Sequence, residues 1–309
     1  MNLISIVIPT YNRAHLLGET IESIQKQTHP YWECIVVDDN STDGTEKLMK
    51  SIISKDTRVQ YYKKPSTLPK GPSAARNFGF DKSKGKYINW FDSDDIMHPQ
   101  KLEIDLETIQ SGDYDFTISQ SKFFSEIEKP KKEFWNETLW SEDPINDFIT
   151  KRIGWSVNSP LWKKKSITKI ALEFNEKLIT VDDYFYHIQA LEANFKPVVL
   201  SETLTFLREH PQRLIDFKVK SPFKLQVNVY LMSRFRTLQL NDETIIYLNK
   251  QFKRQFANLL KNKEMQVAKT YYKEDILGMY FKSIRKDIKR MYTISLLYRF
   301  TGFGYRFIK

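Results

Sequence analysis

The sequence predicts an α/β fold, a mostly parallel sheet with flanking helices, followed by a helical C-terminal extension. Three observations predict it. Apolar runs of strand length alternate with helical spacing through residues 3–91. Polar clusters follow the first, second and fourth runs, where a parallel sheet leaves its ligand crevice. Beyond Pro211 the apolar spacing becomes helical.

Residues 3–9 form a nearly continuous apolar run, suited to a strand buried on both faces. In 17–27, Leu17, Ile21 and Ile24 make one helical stripe, and 32–37 is again a buried-strand run. Residues 43–54 carry Leu48, Ile52 and Ile53 at helical spacing, and 59–62 is strand-like. A short helix is predicted over 72–80, with Pro72 tolerated in its first turn. A strand follows at 87–91. Strand–helix units of this length make a parallel sheet covered on both faces. The middle predicts strands at 116–124, 198–200 and 204–208, an extended 159–162, and helices at 145–151 and 182–193. Ser221-Pro222 can start one later helix. Asn241 or Asp242 can cap another, whose stripe is Ile245, Leu248, Phe252, Phe256 and Leu259.

With 309 residues, 41% of them hydrophobic, the chain can bury a large core, which favours one large domain plus an appendage. The expected division is 1–214 and 215–309. The second segment holds 20 Lys/Arg against 7 Asp/Glu; since the chain totals +10, the first segment carries −3. A basic tail attracts phosphate of any kind, or is simply a solvated helical face. No run of about 18 apolar residues predicts a membrane span. The N-terminus has no signal-peptide pattern, and Cys34 is the only cysteine, so a reducing cytoplasm is the expected location.

Asp92, Asp94 and Asp95 crowd into four residues after an apolar strand. Close carboxylates repel, and a divalent cation relieves that cost; all-oxygen ligation suits Mg²⁺ or Mn²⁺. An acidic turn capping a helix at 99–107 explains the same residues. Asp38 and Asp39, with Asn40, either cap a helix or accept hydrogen bonds from a nucleobase N–H or ribose hydroxyls. Arg76, among small neighbours, pairs with Asp39 or a nucleotide, or lies on the surface. Asp182-Asp183 opens a helix, as dipole compensation or as a source of a general base. His210 follows a strand, structural or metal-binding.

Together these residues resemble the family 2 glycosyltransferases, with their Rossmann-like GT-A fold. Ile6-Val7-Ile8-Pro9-Thr10-Tyr11-Asn12-Arg13 is similar to the opening strand and nucleotide loop. Residues 36–45, with Asp38-Asp39-Asn40-Ser41, resemble the second signature, Ala75-Arg76-Asn77-Phe78-Gly79 the third, and Asp92-Ser93-Asp94 the D-x-D metal motif. The resemblance implies that Pro9, Thr10, Tyr11, Asn12, Asp38, Asp39, Arg76, Asp92 and Ser93 hold the donor nucleotide, with Asp39 reading the base. It implies Mn²⁺ or Mg²⁺ on Asp94, with Asp92 and His210. Asp182-Asp183 stands where the family usually has Glu-Asp, which makes Asp183 the expected base. The match weakens after about residue 124.

The implied reaction is inverting transfer of one sugar from a nucleotide-sugar, by family habit a UDP-sugar, to a glycan or lipid-linked glycan. The acceptor-helix motif Gln-x-x-Arg-Trp of processive members is absent. A binding protein on the same scaffold is the alternative. A nucleotidyltransferase would want a Gly-rich phosphate loop, and residues 9–13 contain no glycine. Nucleic acid is not an expected partner, since the tail's aromatics fall at helical-core spacing. Residues 284–309 mix Arg and Lys with interfacial aromatics, which suits peripheral contact with the inner face of an anionic membrane, or packing of a last helix.

Overall fold

The computed structural model describes residues 2–125, 133–209 and 217–301. The chain divides into two compact units, Met1–Arg213 and Leu214–Lys309.

The first unit opens with β1 (Ile4–Thr10), α1 (Ala14–Gln25), β2 (Trp32–Asp38), α2 (Thr45–Ile53), β3 (Val59–Lys63), α3 (Pro72–Lys82) and β4 (Tyr87–Trp90). These strands pair in parallel, in the order β3-β2-β1-β4. Every residue of β1, β2 and β4 is buried, as mostly apolar runs covered on both faces are; the polar Ser5 and Glu33 within them are satisfied by each other, Ser5 Oγ donating to Glu33 at 2.6 Å. Ile6, Ile8, Leu17, Ile21, Cys34 and Val36 belong to the core beneath α1. On the other face α3 lies close against the sheet: a Cβ on Gly79 would collide with Val7 Cγ1 and crowd Val37.

The second half of the sheet is mixed. β5 (Ile96–Met97), α4 (Lys101–Gln110), β6 (Phe116–Phe124), α5 (Pro144–Thr150), β7 (Leu161–Lys163), α6 (Lys164–Lys169), α7 (Asp182–Glu192) and β8 (Pro197–Arg208) complete the unit. β7 runs antiparallel to β4 and β6, and β5 antiparallel to β8. The two strands predicted at 198–200 and 204–208 are one strand, whose register against β6 shifts near Gln120. That irregularity carries the pairing through the intervening polar residues.

The second unit is helical: α8 (Phe217–Ser233), α9 (Asp242–Lys261), α10 (Met265–Tyr272), α11 (Glu274–Tyr280), a 3₁₀ turn (Lys282–Ile284) and α12 (Arg285–Thr301). Asn241 caps α9, its side chain accepting from Thr244 N at 2.9 Å. Leu248, Phe252, Phe256 and Leu259 are buried, and Phe252 stacks on Phe281 at 4.0 Å. Pro222 does not start α8 but lies inside it, because the helix begins earlier. Among the described residues no helix is long and apolar enough to cross a membrane.

Candidate active site

The parallel strands end together. Thr10 is level with Asp38, and Asp39 N donates to Thr10 O at 2.9 Å. The loops beyond are joined through Asn12, whose N donates to Ser41 Oγ and whose Oδ1 accepts from Thr42 N, both at 2.8 Å. Asn12 and Asn40 adopt φ of 51° and 64°, a region Asn tolerates better than most residues. Asp38 is fully buried: Oδ1 accepts from Ser41 N (2.8 Å) and Ser41 Oγ (2.6 Å), Oδ2 from Tyr61 OH (2.6 Å). Asp38 and Asn12 thus hold the two loops in shape. Pro9 and Thr10 are buried, while Tyr11 leaves 56% of its surface exposed.

Asp39 is at the crevice side of this frame. Its Oδ1 lies 2.8 Å from Lys64 Nζ, and its Oδ2 accepts from Gly71 N at 2.6 Å. Lys64 is buried and also donates to Pro69 O. Gly71 has φ +115°, which a side chain would strain. These contacts fold residues 64–71 around the Asp39 carboxylate. The cation beside Asp39 is therefore Lys64, not Arg76.

Arg76, 4% exposed on α3, instead spans two other elements. One guanidinium nitrogen lies 2.8 Å from Asp92 Oδ1, after β4, and another 2.7 Å from Asp182 Oδ2, at the start of α7. Its planar fork suits two carboxylates at once. Ser73 Oγ adds a hydrogen bond to Asp182 at 3.3 Å. Burial pushes the Asp182 carboxyl up to about 6, against the attraction of Arg76 and with repulsion from Asp183. Asp183 is half-buried; its Oδ1 accepts from Tyr184 N at 2.7 Å. Val181, at φ 60°, makes the tight entry that places both carboxylates in the first turn of α7. Burial holds His187, one turn on, down at about 4, so it is neutral at pH 7.

Oxygens of Asp92, Asp94 and Asp95 lie within 4.8 Å of one another. Asp95 is fully buried and accepts from Asn158 Nδ2 (2.6 Å) and Arg208 N (2.8 Å). Asn158 Oδ1 in turn accepts from Asp92 N at 2.9 Å, so one buried amide fixes both ends of the turn. Asp92 and Asp94 retain 32% and 15% side-chain exposure, and Asp94 Oδ2 lies 3.8 Å from Arg13 Nε. Ser93, between them, is buried. Two partly exposed carboxylates on a pinned turn form an oxygen donor set that fits a hard divalent cation; Asp95 belongs to the turn itself. His210 lies outside the described residues.

One network therefore runs from Arg13 and Asp94, through the acidic turn and Arg76, to Asp182 and its neighbour Asp183. Lys64, Asn158, Arg13 and Arg208 hold parts of this arrangement, and none was singled out from sequence. Arg13 ended the first motif, a signal that could have found it. Asn158 lies in residues 156–160, which carry no local signature.

A mixed sheet entered by parallel strands, with an acidic turn after β4, defines the GT-A class. The S. aureus TarS fragment solved with UDP-GlcNAc superposes with a TM-score of 0.66 at 18% identity, over 98% of this chain and 93% of that one. The model of glycosyl transferase family 2 matches residues 5–168, more than half the chain, and the protein belongs to that family. An uncharacterized glycosyltransferase of Rickettsia bellii is 41% identical over 114 residues, 37% of this chain and 16% of that protein. The UDP-Glc:α-D-GlcNAc-diphosphoundecaprenol β-1,3-glucosyltransferase WfgD of Escherichia coli is 31% identical over 143 residues, 44% of this chain and 55% of that protein. The chain thus spans about a sixth of the first relative and about half of the second.

Proposed function

We propose that this chain transfers a single sugar, with inversion, from a UDP-sugar to a hydroxyl of a glycan or lipid-linked glycan. The observation that carries this reading is the Arg76 bridge, which ties the acidic turn after β4 to the carboxylate pair opening α7. A donor-diphosphate site and a proton acceptor thereby share one network. The nucleotides in the TarS complex and in the name of WfgD support a uridine donor.

In this reading the exposed ring of Tyr11 covers the base, and Asp39, held by Lys64 and Gly71 N, accepts its N–H. Thr10, Pro9 and Ser93 line the donor site, and Asn12 and Asp38 keep its loops in register. Asp94 and Asp92 would hold Mn²⁺ or Mg²⁺, which when bound supplies positive charge against the donor's diphosphate. Asp183 takes the acceptor proton as that oxygen attacks the anomeric carbon; the C–O bond to the diphosphate breaks and its electron pair leaves with the nucleotide. Attack opposite the leaving group inverts the centre. Asp182 and Arg76 position this pair. The catalytic domain is residues 1–214, and 215–309 a separate helical region.

The acceptor class is supported by α12, where Leu296 and Leu297 are 37% and 56% exposed on a helix that also carries Arg285, Lys286, Lys289 and Arg290. A basic helix with exposed leucines suits the surface of an anionic membrane, on its cytoplasmic side. The test of function is a panel of nucleotide sugars incubated with Mn²⁺ and, separately, with EDTA. Metal-dependent release of UDP from one donor supports the reading; no nucleoside diphosphate from any donor, with binding intact, leaves a binding protein.

A further inference from the structure

Far from the acidic turn, at the opposite end of β1 and β4, lies a concavity of about 890 Å³. That is within the size range of small-molecule sites, roughly 300–1,000 Å³. Lys86, Lys163, Lys164, Lys165 and Lys169 line it, with Gln110, and no Asp or Glu does.

The fold itself forces these charges together. Antiparallel pairing sets Tyr87 against Lys163, and Lys164 N donates to Lys86 O at 2.9 Å, so Lys86 and Lys164 face each other across strands. Lys165 and Lys169 are four apart on α6. Like charges in either relation are destabilising. Lys164 is tied down, its Nζ donating to Ser83 O and Oγ at 2.6 and 2.8 Å, with Glu33 and Asp81 acting on it. Among the described residues the other four lysines have no carboxylate within ion-pair distance. Lysines elsewhere on this unit do pair, as in Lys26–Glu22, Lys50–Glu46 and Lys63–Glu46. The unit as a whole is slightly acidic, which makes the local excess stand out against its surroundings.

We propose that this concavity binds a multiply charged phosphate anion, at a site separate from the donor crevice. An anion there offsets the like charges of Lys165 and Lys169 together with those of Lys86 and Lys163, and lysine heads on flexible stems suit phosphate as point charges. The source is either a soluble phosphorylated compound or the headgroup of a lipid.

The experiment uses inorganic pyrophosphate as probe in titration calorimetry on the whole chain, with EDTA present so that the acidic turn contributes nothing. We expect saturable binding at one site per chain, weakened at least 10-fold in Lys86→Gln/Lys163→Gln/Lys165→Gln/Lys169→Gln, unchanged in Asp94→Ala, and falling with salt. Lys169→Gln alone should weaken it about 3-fold, and serves if the fourfold variant fails to fold. Sedimentation with phosphatidylglycerol vesicles separates the sources. Capture reduced by the same substitutions assigns a headgroup; unaltered capture beside lysine-dependent pyrophosphate binding assigns a soluble anion. Absence of saturable binding, or equal binding by the folded lysine variants, overturns the proposal.

Discussion

Two adjacent aspartates at the start of α7 differ by what surrounds them. Asp182 is 6% exposed and paired with Arg76, whereas Asp183 is half-buried with a backbone N–H on one oxygen. Removing the proton acceptor while keeping its shape should separate chemistry from binding. Asp183→Asn should keep donor binding and lose about 10²–10⁴-fold in turnover, read as UDP release in the presence of acceptor; wild-type turnover would reject the base. Asp182 gives a different signature. Its folded pKa, about 6, stands above the ordinary 3.8, so between those values the folded chain holds the extra proton. The stability it contributes is full below about pH 4 and is lost as pH rises through about 6. Wild type should therefore lose stability relative to Asp182→Asn as pH rises from 4 to 7, in urea unfolding. A difference independent of pH would contradict the burial argument.

At the scale of elements, the site depends on α3 lying against β1 and β2 and on the acidic turn staying pinned. Gly79→Ala pushes a methyl into Val7 and should cost about 1–3 kcal/mol, seen as a lower Tm, with no direct contact to the site. Asn158→Ala removes the amide donor to the buried Asp95 and the acceptor of Asp92 N. It should cost about 1.5–3 kcal/mol and also weaken Mn²⁺-dependent UDP binding, whereas a purely structural role would leave binding intact. The parallel half of the sheet was legible because β1, β2 and β4 are mostly apolar, broken only by Ser5, Glu33 and Asn89 before their polar ends. α7 was legible from its two acidic first-turn residues. The extended reading of 159–162 met β7 but gave no antiparallel pairing, and two-residue β5 was not legible, since so few residues show no period and their pairing partners are distant in sequence. Likewise the motif marked Arg76 but not its partners. Which carboxylate a buried guanidinium reaches is decided by the packing of α3 against β4 and α7.

Taken whole, the molecule joins a slightly acidic α/β unit to a strongly basic helical one. If α12 serves a membrane surface, deleting residues 284–309 should reduce co-sedimentation with anionic vesicles without changing UDP release from donor alone; an unchanged bound fraction would remove that role. The division of labour within the first unit is the claim on which the rest stands: one set of carboxylates grips the donor through a cation, another accepts the proton. Calorimetric titration of UDP in the presence of Mn²⁺ tests this most directly when run on wild type, Asp94→Ala and Asp183→Asn beside sugar transfer. Asp94→Ala should lose the Mn²⁺-dependent part of UDP affinity together with transfer, while Asp183→Asn keeps wild-type affinity and loses transfer. Equal UDP affinity in all three proteins, with and without Mn²⁺, would contradict it.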